Sequence, residues 1–258
     1  MNFLSRNRNS GITTTGLRVW GMLFVAAGVV SRCLLQNTIL GLNNAPAAQI
    51  LAMLSESSTN MALATAAIVL QAAETCAVPV FALLLAEGFL HTKDWKKYLL
   101  RVAAIAAASE VPYDLAMNGS FWDMQLQNPC IGLVLGMVLL YLYSRFSQPV
   151  LSHKLLKIFV LIAAILWAEM LNVEHGTPLV IMVALFWLMR NRTGLRSLAC
   201  AAVALMCTFV SPFYLASSMG CLPVHMYNGE PGESNRIINY LAYPAILLAV
   251  FLAAKYMI

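Results

Sequence analysis

Charge is scarce in this sequence: only 10% of its 258 residues are Asp, Glu, Lys or Arg, where a soluble domain carries about 25%. That scarcity excludes a soluble globular enzyme, a nucleic-acid-binding module and a disordered tail. Several enzyme signatures are missing too, with no GxSxG, P-loop, HExxH or Gly-rich dinucleotide turn. The six cysteines form no CxxC pair and show no zinc-like Cys/His spacing, so neither a disulfide framework nor a structural metal is expected. Cys33, Cys76, Cys130, Cys200 and Cys207 lie in or beside apolar stretches and read as packing thiols; only Cys221 sits in a polar stretch. Strand-like alternation and 20–50-residue repeats are absent, which argues against a β-barrel or a repeat array.

What is present is apolar: 60% of residues are hydrophobic and the mean hydropathy is +0.75. A bilayer-spanning helix needs about 20 mostly apolar residues. Eight segments qualify, at about 17–35, 60–89, 96–117, 128–146, 154–172, 176–190, 195–217 and 237–257. The expected fold is all-α, a polytopic integral membrane bundle of about eight transmembrane helices. Residues 1–16 form a polar segment ahead of a single domain over 17–258. The second span contains Pro79 and is long enough to tilt or break. Two arginines precede the first span in the manner of a signal peptide, but Arg32 interrupts it and no small-x-small cleavage site is present after it. It reads as a retained signal anchor.

Lys and Arg collect on the cytoplasmic side of membranes. With both termini inside, the inner segments hold Arg6, Arg8, Arg18, Lys93, Lys96, Lys97, Arg101, Arg145, Lys154, Lys157, Arg190, Arg192, Arg196 and Lys255, which is 14 of the 16 basic residues. Arg32 and Arg236 are the remaining two. The net charge of +5 therefore describes orientation rather than a nucleic-acid footprint. The long segments 36–59 and 218–236 are expected to be outer loops.

Ionisable groups inside lipid cost roughly 2.5–3.5 kcal/mol each even on lenient scales. Arg32, Glu74, Glu87, Glu110, Asp114 and Glu169 are the ones to account for. Glu110 and Asp114 share a helix face around Pro112, at a depth similar to Arg32. Either they form an ion network that only lets helices pack, or they line an outward-facing polar cavity for a substrate. Glu174 and His175 belong to that region or to an ordinary solvated turn. At the inner end of the second span, Glu87 and His91 precede Lys93, Lys96, Lys97 and Arg101. A histidine there suits a general base near neutral pH, with the lysines holding a phosphorylated ligand; an interfacial histidine in a positive-inside loop is the plainer alternative.

The stretch Pro79–Thr92 followed by Lys96–Arg101 resembles the core signature of TraX-type membrane proteins. So do Ser109–Asp114, Gln127-Asn128, Tyr227-Asn228-Gly229 and Asn239–Pro244. The resemblance runs from about residue 17 to the end and is densest over 74–136. It implies a bacterial inner-membrane acetyltransferase of the transmembrane acyltransferase kind, whose founding member acetylates a pilin N-terminus. Acetyl-CoA would bind from the cytoplasm against Lys93, Lys96, Lys97, Arg101 and Arg190. His91, with Glu87, Glu110 and Asp114, would do the chemistry. Arg32, Asn128, Glu169, Glu174, His175, Tyr227 and Asn228 would line the acceptor side, the acceptor being a protein N-terminus, a glycan or a small molecule. Three departures stand out: Gly28-Val29 occupies the place of a first-span Asp-His pair, Ile246 that of a closing His, and Pro231 that of an Arg. A small transporter using the intramembrane charges, and a non-catalytic scaffold that kept the fold, are the competing readings.

Overall fold

The computed structural model describes residues 11–42, 45–233 and 236–257; Arg6 and Arg8 lie outside them. Helix α1 (Thr14–Val29) starts where the Thr13 hydroxyl accepts the Gly16 N–H. It runs directly into a π-helix over Val30–Ile39. A short helix, α2 (Ala47–Glu56), leads to α3 (Ser58–Glu74) and α4 (Ala77–His91). The break between α3 and α4 falls four residues before Pro79, whose ring excludes the Thr75 carbonyl from the helical ladder. That carbonyl accepts the Val78 N–H at 3.2 Å instead, while the Thr75 hydroxyl donates to the Ala72 carbonyl at 2.7 Å, with the Phe213 carbonyl 3.1 Å away. Then come α5 (Trp95–Asn118), N-capped by Asp94 and stopped by Gly119 at φ 67°, and α6 (Pro129–Arg145), N-capped by Asn128 with proline in its first turn. The remainder is α7 (Leu151–Met170), α8 (Gly176–Leu188), α9 (Thr193–Met206), the short α10 (Tyr214–Ser217) and α11 (Cys221–Met226), and α12 (Arg236–Met257). No strand occurs among the described residues, only the single bridges Ile12–Tyr227 and Gln127–Val173.

Four stretches are long and apolar enough to cross a membrane: Thr14–Ile39, Ser58–His91, Leu151–Met170 and Tyr240–Met257. Pro129–Arg145, Gly176–Leu188 and Gly194–Phe209 are shorter apolar helices. Helix α7 leaves Leu155, Ile158, Phe159, Ile162 and Leu166 exposed, a surface suited to a lipid bilayer.

The bundle has two chemically different ends. The basic end gathers the start of α1, His91, Trp95, Arg145, the start of α7, Arg190 and Arg196; the far end gathers Ile39, Asn118, Asn128, Met170 and Gly176. Helix α1 runs antiparallel to the α3–α4 pair, since Gly21 abuts Phe81 of α4 and Gly28 abuts Glu74 at the end of α3.

The segment expected as an outer loop, 218–236, does something else. After α9 reaches the far end, the chain turns at 207–213 and returns through α10 and α11 to the basic end. There Ile12 and Asn228 exchange backbone bonds, Ile12 N–H to the Met226 carbonyl (2.9 Å) and Asn228 N–H to the Ile12 carbonyl (3.0 Å). Helix α12 therefore starts at the basic end beside α1 and runs parallel to it. Tyr240 shares a cavity with Arg18 and Tyr98, and Tyr243, one turn on, packs with Tyr113. Residues 11 and 257 thus lie at opposite ends of the bundle, not at one end as an eight-span topology requires. Arg236, at the start of α12, thus lies at the basic end, and Arg32 and Lys255 are the basic residues elsewhere among those described. Reporters fused ahead of the first residue and after the last should accordingly report opposite membrane sides; activity of both on one side would refute the α10–α11 return.

Candidate functional site

A buried charge cluster sits where the π-helix, the end of α3 and the α7–α8 turn converge. A π-helix widens the turn and is common at functional sites; this one is closed by Leu40 N–H and the Thr38 hydroxyl bonding back five residues to Leu35 and Cys33. It delivers Arg32, whose side chain is 15% exposed, into the bundle. Arg32 Nη2 donates to both carboxylate oxygens of Glu74 at 2.9 and 3.1 Å, and Nη1 pairs with Glu174. The Tyr113 hydroxyl donates to Glu174 Oε2 at 2.7 Å. His175 Nδ1 lies 2.7 Å from the Tyr214 hydroxyl.

The turn that presents Glu174 and His175 is held on both sides. Gln127 N–H donates to the Asn172 carbonyl and Glu174 N–H to the Gln127 carbonyl, both at 2.9 Å. Asn172 and His175 adopt left-handed conformations, φ 48° and 56°, the kind of backbone strain that concentrates at functional sites. Burial pushes the His175 pKa below its ordinary 6.5; the nearby Glu174 carboxylate opposes that shift and Arg32 reinforces it. Two polar atoms of the cluster are buried without a partner, Arg32 Nε and His175 Nε2. Such orphans are rare in folded proteins and ask for an explanation. Donor atoms of Glu74, Glu174 and His175 all come within 4.8 Å of one another, but the Arg32 guanidinium already provides the positive charge between the carboxylates, and a metal ion would have to displace it.

Two cavities border this cluster, and a third adjoins one of them. A cavity of about 310 Å3 near the basic end is lined by Arg18, Tyr98 and Tyr240. It shares Met22, Phe81, Ile105, Cys130, Leu133 and Tyr240 with an apolar cavity of about 150 Å3 deeper in the bundle. Glu74, Glu174 and His175 line that deeper cavity and also a third, of about 290 Å3, at the far end with Glu169, Thr177 and Ser211. The cluster thus borders the apolar cavity on one side and the far-end cavity on the other.

The sequence-derived candidates divide. Arg32, Glu174 and His175 come together, with Glu169 beside them on the far-end cavity. Glu174-His175 is a member of the buried region and not a solvated turn. The expected Arg32 network with Glu110 and Asp114 does not form. Glu110 bonds the Asn128 side chain, which also donates to the Ala106 carbonyl at 3.0 Å and caps α6 through Cys130 N–H. Asp114 accepts the Asp123 N–H at 2.9 Å, fixing the loop after α5. Both carboxylates thus tie the end of α5 to its neighbours in the chain, Glu110 to the start of α6 and Asp114 to the intervening loop, although Glu110 Oε1 and Asp114 Oδ1 are themselves unpartnered.

His91 is elsewhere. Its side chain is 73% exposed, it lines none of the three cavities, and α4 separates it from Glu74 by roughly 20 Å at 1.5 Å per residue. Its Nδ1 pairs with the Glu87 carbonyl at 2.8 Å. Glu87 bonds Arg196 of α9 at 3.3 Å. Lys93, Lys96, Lys97 and Arg101 are exposed around the α4–α5 turn. Arg190 stacks over Trp187 at 4.5 Å, and Trp187 meets Phe89 edge-on, so these basic groups do share one end. Tyr227 and Asn228 lie at that basic end, the Tyr227 hydroxyl 3.1 Å from Thr14 Oγ1, and not with the expected acceptor groups at the far end. The residues that sequence reasoning left out are Glu74 as Arg32's partner, Tyr113, Tyr214 and the tyrosines lining the cavities. A glutamate in an apolar span was the available signal for the first; nothing local marked the rest.

Gly28 matters to this arrangement. A Cβ there would lie 2.0–2.2 Å from the Glu74 carboxyl group and 2.5 Å from its Cγ, so Glu74 occupies the volume that any larger residue would need. Gly28→Ala should therefore lower the thermal midpoint of the detergent-solubilised protein, at about 1–3 kcal/mol for an overpacked site; an unchanged midpoint would show that Glu74 has room to move.

The sequence model of the TraX protein family matches residues 51–254. Among curated proteins and solved structures, none matches the chain.

Proposed function

The chain belongs to the TraX family, and from that premise we propose that it is a bacterial inner-membrane acyltransferase moving an acetyl group from cytoplasmic acetyl-CoA to an amine or hydroxyl acceptor. The observation that carries this reading is that two polar atoms of one cluster, Arg32 Nε and His175 Nε2, are buried without a partner, and that His175 lines both the apolar cavity and the far-end cavity. One is a fixed cationic donor; the other is a lone pair in the tautomer whose Nδ1–H donates to the Tyr214 hydroxyl. Acyl transfer uses one of each.

In this scheme the basic end faces the cytoplasm, and Lys93, Lys96, Lys97, Arg101 and Arg190 attract the CoA phosphates. The thioester arm passes the Arg18–Tyr98–Tyr240 cavity and places its carbonyl in the apolar cavity, where water is excluded. The acceptor enters from the far end past Glu169 and Thr177. His175 Nε2 takes the acceptor's proton as its nitrogen or oxygen attacks the carbonyl carbon. The Arg32 Nε–H stabilises the charge gathering on the carbonyl oxygen, and collapse expels the CoA thiolate, which regains a proton from the His175 imidazolium. Glu74 and Glu174 hold Arg32 in place, and Tyr214 fixes the His175 ring. The reassignment from His91 to His175 fits the departures in sequence. Val29, at the position where the family resemblance puts a histidine, lines the same apolar cavity as His175.

His175 works as a base only when neutral. Because its pKa is lowered, the neutral form persists below the ordinary histidine range, and turnover should fall only as pH drops beneath about 6.5. A rate still climbing between pH 7 and 8 would contradict that assignment.

Cavities on both sides of a charged constriction also favour a transporter as the second reading. Protein reconstituted in liposomes and given acetyl-CoA on one side separates the two. Thioester loss without solute flux supports transfer, whereas flux of a solute with acetyl-CoA untouched supports transport.

A further inference from the structure

The cysteines read in sequence as unrelated packing thiols contain one close pair. Cys200 of α9 and Cys221, the first residue of α11, place their sulfur atoms 2.8 Å apart in the buried core. Cys221 is not in a polar loop; it is buried in the return segment. Its position is fixed from the other side as well. A Cβ on the preceding Gly220 would lie 2.4 Å from the Cys76 carbonyl oxygen, so the start of α11 is seated against the start of α4 without slack. The Cys76 thiol donates to the Ala216 carbonyl at 3.0 Å, anchoring α10 to the same place.

We propose that Cys200 and Cys221 are a disulfide-forming pair that clamps the return segment to α9 when the protein meets a peroxide-class oxidant. One thiol is oxidised to a sulfenic acid as the peroxide O–O bond breaks, with loss of one molecule of water or alcohol. The second thiol then displaces water from that sulfur, forming the S–S bond. The clamp closes a short loop that contains Tyr214, the partner of His175, and so fixes the element that orients the imidazole.

The test is intact-mass and peptide mapping of the full-length protein in detergent after hydrogen peroxide, with alkylation under denaturing conditions. The expected result is a loss of about two mass units, a cross-linked peptide joining Cys200 to Cys221, and a higher thermal midpoint that reductant reverses. Cys200→Ala and Cys221→Ala should each abolish the cross-link. Mapping on the wild type stands alone should either variant fail to fold. Six alkylatable thiols after prolonged oxidation, or a cross-link joining either cysteine to Cys207 instead, would overturn the assignment. These outcomes do not depend on acyltransferase activity.

Discussion

Replacing Arg32 by Met should destabilise the protein by about 3–5 kcal/mol, the penalty for leaving a buried ion without its partner. Two carboxylates depend on this one guanidinium. Glu74 and Glu174 have side chains 8% and 9% exposed, and in its absence they face each other inside the bundle with only the Tyr113 hydroxyl to share. The diagnostic comparison is the triple variant Arg32→Met, Glu74→Gln, Glu174→Gln. Removing all three charges together should restore most of the lost stability, because well-packed neutral groups often replace buried ion pairs at little loss. Chemical denaturation in detergent, read as a mutant cycle, measures the coupling. Equal stabilities for the single and triple variants would mean that the cluster is not the charge-balanced unit described above. The triple variant should be folded and inactive, which separates the structural role of the charges from their chemical one.

The second large effect concerns His175. Loss of a positioned general base typically slows a reaction by about a hundred- to ten-thousand-fold, and His175→Ala should fall in that range, with a stability loss of about 1–3 kcal/mol from the Tyr214 hydroxyl left unpartnered. Tyr214→Phe should slow turnover less and shift the pH profile, since it removes only the group that orients the ring. His91→Ala should leave turnover within a few-fold of wild type: its ring is in solvent, and its loss breaks only a hydrogen bond to the Glu87 carbonyl and a weak surface pairing.

Much of the helical skeleton was legible in sequence because hydropathy over a 20-residue window records burial in lipid directly. Most of the apolar stretches became helices with ends shifted by a few residues, as α5 at Trp95–Asn118 shows against 96–117, but the second broke into α3 and α4 and the seventh stopped as α9 at Met206. The return through α10 and α11 left no such record. Its pieces have four and six residues and are punctuated by Gly220 and Pro223, so no window registers a crossing. Missing that one pass moved the closing loop and the last helix to the wrong ends, and with them Tyr227 and Asn228.

The site was half legible for a related reason. An ionisable residue in an apolar run announces itself, and Arg32 and Glu74 both stand out in this way. The spacing of Glu110 and Asp114 says that they share a face, but not what that face meets. Arg32 is aimed by a π-helical turn that a 3.6-residue periodicity does not anticipate, and its partners come from α3 and the 172–175 turn, 42 and 142 positions away. The short polar run Asn172–Thr177 reads as a surface turn until the Gln127 bridge and the strained backbone at Asn172 and His175 show it folded inward. His91 had the right residue type and the right neighbours, yet α4 ends there, leaving its ring largely exposed with only Glu87 as a partner.

The most direct measurement is turnover of radiolabelled acetyl-CoA by the purified protein in nanodiscs, with wild type, His175→Ala and His91→Ala compared side by side. The account predicts slow, saturable thioester loss in the wild type, retained in His91→Ala and abolished in His175→Ala. No thioester loss from the wild type at millimolar acetyl-CoA, or loss that survives His175→Ala and disappears in His91→Ala, would contradict it.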